Sequence, residues 1–329
     1  MQDIKVLVTY SVSPELKKQI EAVSPRIKML DAVELSHGDY RGEPAAKKKM
    51  DDILVDTEII FGQILTKGLP ARAPKLKWIQ LTSAGVDRFL NPELIKSNIV
   101  LNNVSGIHST SIGEFVMEMM LMFVKRAPQC FEMKQKREWQ RFNAAVLRGK
   151  TVGIVGLGNI GREVARLCKA FGMKVVATRR TAGQHSARNV DTLYLSSELP
   201  KLLADSDFVV LSLPLTPETN KLIGTKELHM MKPTAYLINI GRGPIIDEPA
   251  LIRALEDEVI AGAGLDVFTT EPLPKDSRLW ELPNVIYSPH VSGGMEDYTA
   301  RATEVFCQNL KRYIEGKKFL NTVNKKAGY

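Results

Sequence analysis

Thr151-Val152-Gly153-Ile154-Val155 leads directly into Gly156-Leu157-Gly158-Asn159-Ile160-Gly161, and this stretch decides the fold. A β-branched apolar run, a glycine-rich turn and then apolar residues at helical spacing form the context in which G-x-G-x-x-G indicates a dinucleotide site. Gly156 permits the tight turn, Gly158 lets the backbone approach a pyrophosphate, and Gly161 lets helix and strand pack closely. The stretch therefore predicts the first strand, the phosphate loop and the first helix of a dinucleotide-binding domain.

The residues after the loop indicate which dinucleotide it would bind. Asn159 and Ile160 begin a helix whose N-terminus presents unpaired N–H groups and a positive dipole end to phosphates. The next predicted strand ends at Thr178 and is followed by Arg179-Arg180, where an acidic residue for the ribose hydroxyls of NAD is missing. Two arginines suit a 2′-phosphate, which favours NADP, with NAD as the weaker alternative. The alternatives are a glycine-rich turn without a ligand and an arginine pair that is only solvated.

The composition argues against several other classes of protein. The chain has 329 residues, of which 44% are hydrophobic, enough for two domains with full cores. It contains no apolar run of about 18 residues, so no membrane span is predicted, and its N-terminus alternates like a strand and does not resemble a signal peptide. The net charge of +8 comes without a long basic tract interleaved with aromatic residues. It favours attraction of anionic ligands over nucleic-acid binding.

The cysteines indicate a reducing compartment. Cys130, Cys168 and Cys307 are odd in number and widely spaced, which does not suit a disulfide framework. No pair of Cys or His residues has metal-ligand spacing, so no metal site is predicted. We therefore expect a cytoplasmic protein.

Strand and helix patterns alternate along the whole chain. They predict an α/β fold with two Rossmann-like, doubly wound parallel-sheet domains and a cleft between them. The expected domains are a substrate-binding, flavodoxin-like domain formed by 1–102 plus 295–329 and an NAD(P)-binding Rossmann domain formed by 103–294. Because ligands bind at the carboxyl ends of such strands, the site is expected in the cleft. Strands are expected at 4–9, 27–30, 58–62, 77–81, 99–101, 151–155, 174–178, 193–195, 207–211, 235–239, 261–264 and 285–287, and helices at 14–23, 44–53, 160–171, 225–230, 248–256 and 295–315.

A long apolar helix is expected where the chain first crosses between the domains. Ser111 and Glu114 match a capping box that would open this helix. Apolar residues at helical spacing follow from Ile112 to Phe123, and Pro128 would mark the end. The methionines in this helix suit the core or a subunit interface.

Side chains that can carry chemistry follow the later strands of the predicted Rossmann sheet. Arg242 follows one strand, and Asp266 and Glu271 follow the next. His290 follows the last strand. Because the carboxyl ends of parallel strands share one edge of the sheet, these side chains are expected to converge. Structural needs explain the prolines and glycines nearby, but not this set of charged side chains.

Arg242, Glu271 and His290 supply what hydride transfer to a 2-keto acid requires. An arginine holds the carboxylate and polarises the ketone with its planar fork of donors. A histidine donates a proton to the ketone oxygen. A carboxylate behind the histidine orients it and favours its protonated form. A nicotinamide supplies the hydride.

Each of these assignments has a structural alternative. His290 could be a satisfied structural histidine, Arg242 a member of a structural ion pair, and Glu271 a surface residue before a turn proline. The other histidines lack comparable surroundings, and only His108 has a position that could lie in the cleft. The four are His37, His108, His185 and His229.

The order of these motifs resembles the D-isomer-specific 2-hydroxyacid dehydrogenase family over nearly the whole chain. The family includes glyoxylate/hydroxypyruvate reductases, D-lactate dehydrogenases and phosphoglycerate dehydrogenases. Its arginine, glutamate and histidine fall on Arg242, Glu271 and His290. Besides the glycine loop, the matching segments are 214–219, 239–247, 264–274, 279–285, 288–293 and 323–329.

The resemblance also implies the ligand contacts. Ser83-Ala84-Gly85 matches a substrate loop in which the N–H groups of the second and third residues would hold the carboxylate, together with Arg242 and His290. Asp266 matches an aspartate near the nicotinamide. The family is usually dimeric through its cofactor domain, which implies a homodimer. The cofactor contacts that the motif and the resemblance imply together are Gly156, Gly158, Asn159, Ile160, Gly161, Thr178, Arg179, Arg180, Leu213, Pro214, Thr219, Ile240, Gly241, Arg242, Asp266 and His290.

Positions at which the sequence differs from the family pattern reduce the number of expected cofactors and substrates. Arg179 stands where a common aspartate would favour NAD. Formate-oxidising relatives carry glutamine where Glu271 stands, and phosphite-oxidising relatives carry lysine where Ala84 stands, so neither substrate is expected. Because the sequence ends at residue 329, we expect no regulatory domain of the kind that phosphoglycerate dehydrogenases often add.

The sequence therefore predicts an NADP-preferring reductase of small 2-keto acids that yields D-2-hydroxy acids. Glyoxylate and hydroxypyruvate are the first expected substrates, followed by branched 2-keto acids. The walls of the substrate pocket would come from 1–100, where the resemblance is loosest. The alternatives are a corepressor-like protein that senses the dinucleotide without turnover, and a pseudo-enzyme or structural oligomer.

Overall fold

A computed structural model describes residues 3–180 and 187–329 and divides the chain into two compact units. The first unit runs to Ile107 and includes Met295–Tyr329, and the second comprises His108–Gly294. The first dividing point therefore follows Ile107, whereas the sequence places it after residue 102. The roles expected of the two domains stay predictions, and His185 lies outside the described residues.

Each unit contains one sheet in which all paired strands run parallel. The described strands are β1 (Ile4–Thr9), β2 (Ile27–Asp31), β3 (Ile59–Gly62), β4 (Trp78–Leu81), β5 (Val100–Asn102), β6 (Thr151–Val155), β7 (Lys174–Arg179), β8 (Thr192–Leu195), β9 (Phe208–Leu211), β10 (Tyr236–Asn239), β11 (Gly262–Leu265) and β12 (Val285–Tyr287). The first sheet has the flavodoxin-like order β2-β1-β3-β4-β5. The second has the order β8-β7-β6-β9-β10-β11-β12, which contains the Rossmann arrangement. The predicted α/β class with two parallel sheets is confirmed.

Helices fill most of the connections between these strands. The described α-helices are α1 (Pro14–Glu21), α2 (Val33–Tyr40), α3 (Pro44–Leu54), α4 (Leu69–Arg72), α5 (Pro92–Lys96), α6 (Ser109–Val124), α7 (Ala127–Lys136), α8 (Asn159–Ala170), α9 (Leu199–Asp205), α10 (Thr225–His229), α11 (Glu248–Glu256) and α12 (Tyr298–Ile314). Within the described ranges, none of these helices has the length and apolar character needed to cross a membrane.

The sheet of the first unit is covered on both faces. On one face, α12 stacks Phe306 on Phe61 with ring centroids 4.2 Å apart, and Trp78 packs beside them. On the other face, Met50 and Leu54 of α3 are buried in a second apolar cluster. Strands that are buried on both faces have mostly apolar sequences. For this reason β1, β3 and β4 can be predicted from the sequence.

The second sheet is packed in the same way. Gly113 of α6 allows α8 to approach closely, since a Cβ there would lie 3.0 Å from the side chains of Glu163 and Leu167. Met117 Sδ lies 3.8 Å from Cys168 Sγ in this contact. Burial raises the pKa of the Cys168 thiol to about 12, so this thiol stays protonated and serves as core.

The start of α6 differs from the sequence prediction. The helix begins at Ser109 with His108 as its N-cap, so the predicted capping box at Ser111 is wrong. The Ser111 hydroxyl instead donates to Ser292 O at 2.7 Å and to Gly294 O at 3.0 Å. The Ser111 side chain, which the local pattern predicted to cap the helix, therefore forms tertiary hydrogen bonds to the backbone instead.

The role of Pro128 also differs from the prediction. Pro128 is the second residue of α7 and lies beyond the end of α6, because a proline in the first turn of a helix loses no intrahelical hydrogen bond. Arg126 has a left-handed backbone (φ 53°) and separates α6 from α7.

Candidate active site

The loop between β6 and α8 has the close contacts that its glycines predict. Gly156 has a left-handed backbone (φ 101°), and a Cβ there would lie 2.6 Å from Leu213 Cδ2. A Cβ on Gly161 would lie 2.2 Å from Gly156 O. Both positions therefore require glycine for the protein to pack against itself.

Gly158 differs from these two glycines. A Cβ at Gly158 would meet nothing within 4 Å. The residue is the exposed N-cap of α8, and as a glycine it has no side chain that could cap the helix. Open space in front of a helix N-terminus suits an approaching phosphate. The loop thus fits the pyrophosphate of a dinucleotide.

The end of β7 lies beside this loop. Thr178 is buried, and its carbonyl accepts a hydrogen bond from Gly156 N at 3.3 Å. Arg179 is the last residue of β7, and Arg180 follows it on the exposed surface. The two arginines therefore stand at the end of the strand that neighbours β6, directly after the residue that contacts the glycine loop.

The loop after β9 is closed by one of its own threonines. Thr219 Oγ1 donates to Pro214 O at 2.7 Å and accepts from Thr216 N at 2.8 Å. The pKa of the exposed Glu218 carboxyl is lowered by a hydrogen bond from the Thr216 hydroxyl and, to a smaller degree, by the charge of Arg180. The threonine hydroxyls therefore hold both the backbone and the acidic side chain of this loop.

The ends of β6, β9 and β10 are packed side by side. Ser212 Oγ donates to Gly156 O at 2.6 Å. A Cβ on Gly241 would lie 2.8 Å from Leu213 O, and Ile240 is buried. The predicted cofactor contacts on these strands thus share one edge of the second sheet.

Asn239 fixes the backbone around Arg242. Its buried side chain donates to Arg242 O at 2.9 Å and accepts from Gly241 N at 3.1 Å. Arg242 is half-buried, and its Nη1 donates to Gly241 O at 2.9 Å. A Cβ on the next residue, Gly243, would lie 1.9 Å from the carbonyl carbon of Phe268. The loop that carries Arg242 is therefore locked against the segment after β11.

Glu271 and His290 form a hydrogen-bonded pair. Nδ1 of His290 lies 2.8 Å from Glu271 Oε2, and Glu271 Oε1 accepts from Phe268 N at 3.1 Å. The side chain of His290 is 47% exposed, and that of Glu271 is 38% exposed. Because the carboxylate engages Nδ1, Nε2 is the ring nitrogen left to exchange a proton with a ligand.

The buried carboxylate of Asp266 holds the loop on both sides of His290. His290 has a left-handed backbone (φ 56°), which is uncommon for a residue with a side chain. Its N–H donates to Asp266 O at 2.9 Å. The Asp266 carboxylate accepts from Ser288 Oγ at 2.6 Å, Val291 N at 2.9 Å, Ser292 N at 3.2 Å and Ser292 Oγ. These hydrogen bonds fix the direction in which the imidazole points.

Sequence reasoning assigns no role in holding this loop to its serines or to Ser111, which it interprets as a helix cap. Ser288, Ser292 and Ser111 all hold the loop through their hydroxyl groups. A Cβ on Gly293 would lie 2.9 Å from His108 Cδ2, so His108 packs against the same loop. Burial lowers the pKa of His108. The only available signal is the pair of serines that flank the histidine.

The predicted substrate loop, Ser83-Ala84-Gly85, belongs to the first unit and follows β4. Ser83 Oγ donates to Gly85 O at 2.9 Å, and Asn103 Nδ2 donates to Ala84 O at 2.8 Å. The three residues are half-buried. Arg242 and His290, by contrast, belong to the second unit.

No metal centre accompanies these groups in the part of the chain that the structure describes. Over those residues, no cluster of three or more His, Cys, Asp or Glu side chains could hold an ion.

Comparison with known proteins identifies the family. A family model described as "D-isomer specific 2-hydroxyacid dehydrogenase, NAD binding domain" matches residues 117–292. The chain belongs to this family. A D-3-phosphoglycerate dehydrogenase from Methanocaldococcus jannaschii is 33% identical over 98% of the chain, which spans 59% of that protein's length. A glyoxylate reductase from Thermococcus litoralis is 36% identical over 79% of the chain and 80% of its own length.

Solved structures of 2-hydroxyacid dehydrogenases share the fold. A family member from Xanthobacter autotrophicus Py2, in complex with NADPH and MES, is 28% identical with a TM-score of 0.85, and all of both chains is covered. An NADPH-dependent glyoxylate/hydroxypyruvate reductase from Sinorhizobium meliloti, in complex with NADP and sulfate, is 28% identical with a TM-score of 0.82. That match covers 99% of this chain and 100% of the other. The family that the motifs indicate is confirmed, and with it the oxidoreductase class.

Proposed function

We propose that this 2-hydroxyacid dehydrogenase reduces small 2-keto acids to D-2-hydroxy acids and prefers NADPH. The observation that carries the proposal is the His290–Glu271 pair, with 2.8 Å between Nδ1 and Oε2. It lies on loops after neighbouring strands, and Arg242 follows the strand next to them. A positioned imidazole with a carboxylate behind it is an arrangement for proton transfer.

The mechanism assigns one task to each side chain. The guanidinium of Arg242 binds the substrate carboxylate and polarises the ketone. His290 Nε2 donates a proton to the ketone oxygen as that oxygen gains negative charge, and Glu271 stabilises the positive charge on the imidazole before the transfer. Asp266 keeps the imidazole in the orientation that this transfer requires. The hydride would come from the dihydronicotinamide of a cofactor held at the glycine loop.

The glycine loop and the end of β7 would hold the cofactor. The pyrophosphate would lie at Gly158, where the backbone is open, with Asn159 and Ile160 in the first turn of α8. Arg179 and Arg180 would bind the 2′-phosphate of NADPH. The complexes of two relatives with NADPH and NADP support this preference. The remaining predicted contacts are Gly156, Gly161, Thr178, Leu213, Pro214, Thr219, Ile240, Gly241, Arg242, Asp266 and His290.

The substrate is a small 2-keto acid, with glyoxylate and hydroxypyruvate as the first candidates. The names of the relatives from Thermococcus litoralis and Sinorhizobium meliloti support this class. The N–H groups of Ala84 and Gly85 would bind the carboxylate, together with Arg242.

We further propose a cytoplasmic homodimer. Two buried free thiols and one exposed thiol suit a reducing compartment. The contact between copies would lie on the exposed side of α6 and α8. An open, mostly apolar depression of about 440 Å³ lies there, and its lining consists of Glu114, Met117, Glu118, Leu121, Met122, Leu167 and Phe171.

Oxidation of NADPH and NADH, followed by absorbance over a panel of 2-keto acids, tests the function. The panel runs from glyoxylate and hydroxypyruvate through pyruvate to branched and aromatic acids. We expect turnover of the small acids, with a higher kcat/KM for NADPH than for NADH. A protein that binds NADPH but reduces none of the acids would instead be a dinucleotide sensor, and the proposal would be refuted.

A further inference from the structure

The carbonyl groups of the loop after β4 are all engaged within the first unit. The four carbonyls of 82–85 accept hydrogen bonds from four different donors. In chain order these are Tyr298 Oη, Val104 N at 3.3 Å, Asn103 Nδ2 at 2.8 Å and Ser83 Oγ at 2.9 Å. Each carbonyl of the loop is therefore held by a hydrogen bond, and Thr82 N also donates to Gly62 O at 3.2 Å.

Three backbone N–H groups of the same loop differ from its carbonyls. Among the described residues, no acceptor receives the N–H groups of Ser83, Ala84 or Gly85. A trans peptide bond is planar, so its C=O and N–H groups point in opposite directions. Holding the carbonyls of Thr82, Ser83 and Ala84 therefore also fixes the directions of the three following N–H groups. Successive N–H groups that no protein acceptor engages can form a concavity that binds anions.

Two of the clamping side chains come from outside the loop and are themselves fixed. Asn103 is buried, and its Oδ1 accepts from Ser105 N at 3.0 Å while its Nδ2 engages the loop. Tyr298 is the first residue of α12, the helix that stacks Phe306 on the sheet. Burial raises the pKa of the Tyr298 hydroxyl to about 12, with the neighbouring Tyr10 adding to the shift, so the hydroxyl remains a donor at neutral pH.

A buried polar network ties the same two regions together behind the loop. Gln80 Nε2 donates to Asn103 O at 3.0 Å, and Gln80 Oε1 accepts from Asn309 Nδ2 at 2.9 Å. Asn309 belongs to α12, as Tyr298 does. The helix therefore supports the loop at two points, directly through Tyr298 and indirectly through Gln80 and Asn103.

We propose that Tyr298 and Asn103 are positioning residues that orient the N–H groups of Ser83, Ala84 and Gly85 toward the carboxylate of the 2-keto acid. This inference rests on the proposed function. It states that the affinity of the enzyme for the substrate carboxylate depends on two side chains that do not contact the substrate. Loss of either donor leaves a loop carbonyl without its partner and lets the peptide rotate. Binding of the carboxylate should weaken, whereas proton transfer at His290 and cofactor binding should not change.

Tyr298→Phe tests the inference, with Tyr313→Phe as the matched control. Both tyrosines lie on α12, and burial raises the pKa of both hydroxyl groups. Tyr313, however, donates to Glu58 and not to the loop. We expect Tyr298→Phe to raise the KM for glyoxylate about tenfold with kcat within about twofold of wild type. The Kd of oxamate, a 2-keto acid analogue that is not reduced, should rise by the same factor, and the Kd of NADPH should not change.

Asn103→Ala provides the second arm, in case Tyr298→Phe does not fold. It removes the donor to Ala84 O and should show the same separation of KM from kcat. An unchanged KM in a folded variant at either position would overturn its assignment. Equal losses of glyoxylate and NADPH affinity, shared by Tyr313→Phe, would show a merely structural role. A wild-type protein that reduces no 2-keto acid would refute the proposed function, whereas wild-type turnover with an unchanged KM in the variants would refute only this inference.

Discussion

His290 Nδ1 lies 2.8 Å from Glu271 Oε2, and the second oxygen of that carboxylate accepts from Phe268 N. One carboxylate oxygen of Glu271 is thus held by a backbone N–H group, and the other is hydrogen-bonded to the imidazole ring. The pair holds the imidazole by one nitrogen and determines where the other points. This separation between a holding nitrogen and a reacting nitrogen is what a general acid requires.

Removal of either member of the pair should affect turnover more than binding. We expect His290→Ala to lower kcat for glyoxylate by about 100-fold or more, since the proton donor is lost. Glu271→Gln should cause a smaller loss, because the ring keeps a partner without its charge. NADPH binding, measured by fluorescence titration, should persist in both. His229→Ala is the control, because His229 bonds the carbonyl of Thr225 on α10. Wild-type kcat in His290→Ala would remove the proton-donor role.

The glycine loop allows cofactor binding and stability to be separated. A Cβ at Gly158 meets open space, whereas a Cβ at Gly161 would lie 2.2 Å from Gly156 O. We expect Gly158→Ala to keep the thermal midpoint of wild type and to raise the Kd of NADPH about tenfold or more, because the methyl group occupies the approach of the phosphate. Gly161→Ala should instead destabilise the fold by about 1–3 kcal/mol. Unchanged NADPH affinity in Gly158→Ala would place the phosphates elsewhere.

Cofactor preference should depend on Arg179. Arg179→Asp replaces a cation that suits a 2′-phosphate with a carboxylate that suits two ribose hydroxyls. We expect kcat/KM with NADPH to fall about tenfold or more and kcat/KM with NADH to rise. The control is Arg253→Asp on α11, an exposed position away from the loop. An unaltered ratio of the two cofactors would show that Arg179 does not contact the ribose.

Elements with strong local signals were predicted closely. β6 and α11 have the predicted bounds, because a bounded apolar run and a proline at the first helical turn are signals within the segment itself. α2 was missed, since Ser36, His37 and Gly38 interrupt any apolar period. A tertiary ion pair supports it, with Arg72 Nη1 2.9 Å from the buried carboxylate of Asp39.

In the candidate site, too, local features could be predicted from the sequence and tertiary contacts could not. The positions of Arg242, Glu271 and His290 after strands could be predicted, because strand ends are visible in the sequence. Hydrogen bonds between distant residues could not be predicted. Ser111 and Ser292 are 181 positions apart, and only the fold brings them together. The roles of the site residues remain predictions that the substitutions test.

Ser292 should act on turnover through Asp266. Its hydroxyl and its N–H both donate to the buried carboxylate that holds the loop of His290. We expect Ser292→Ala to lower kcat about tenfold with little change in the KM for glyoxylate, because the ring is displaced while the carboxylate contacts remain. The pH profile of kcat should shift as well, which a general loss of stability would not produce. Ser206→Ala is the control, since its buried hydroxyl bonds Leu202 O. Identical kcat values and pH profiles in Ser292→Ala and wild type would contradict the assignment.

Protonation of His108 should make the protein less stable in mild acid. Burial lowers the pKa of His108 from its ordinary value of 6.5, so the unfolded chain binds its proton more readily than the folded chain does. The stability from the neutral ring is fully present above pH 6.5 and is lost as the pH falls through the lower pKa of the folded state. We expect the thermal midpoint of wild type to fall between about pH 7.5 and pH 5, and to fall less in His108→Gln.

The same pH series distinguishes a local effect of His108 from a general effect of acid. His37→Gln replaces an exposed histidine on α2, in the other compact unit, and should follow the wild-type slope. Because His108 packs against Gly293, kcat should also be lost in mild acid more steeply in wild type than in His108→Gln. Parallel slopes of the thermal midpoint in wild type and His108→Gln would show that this ring does not contribute to the acid sensitivity.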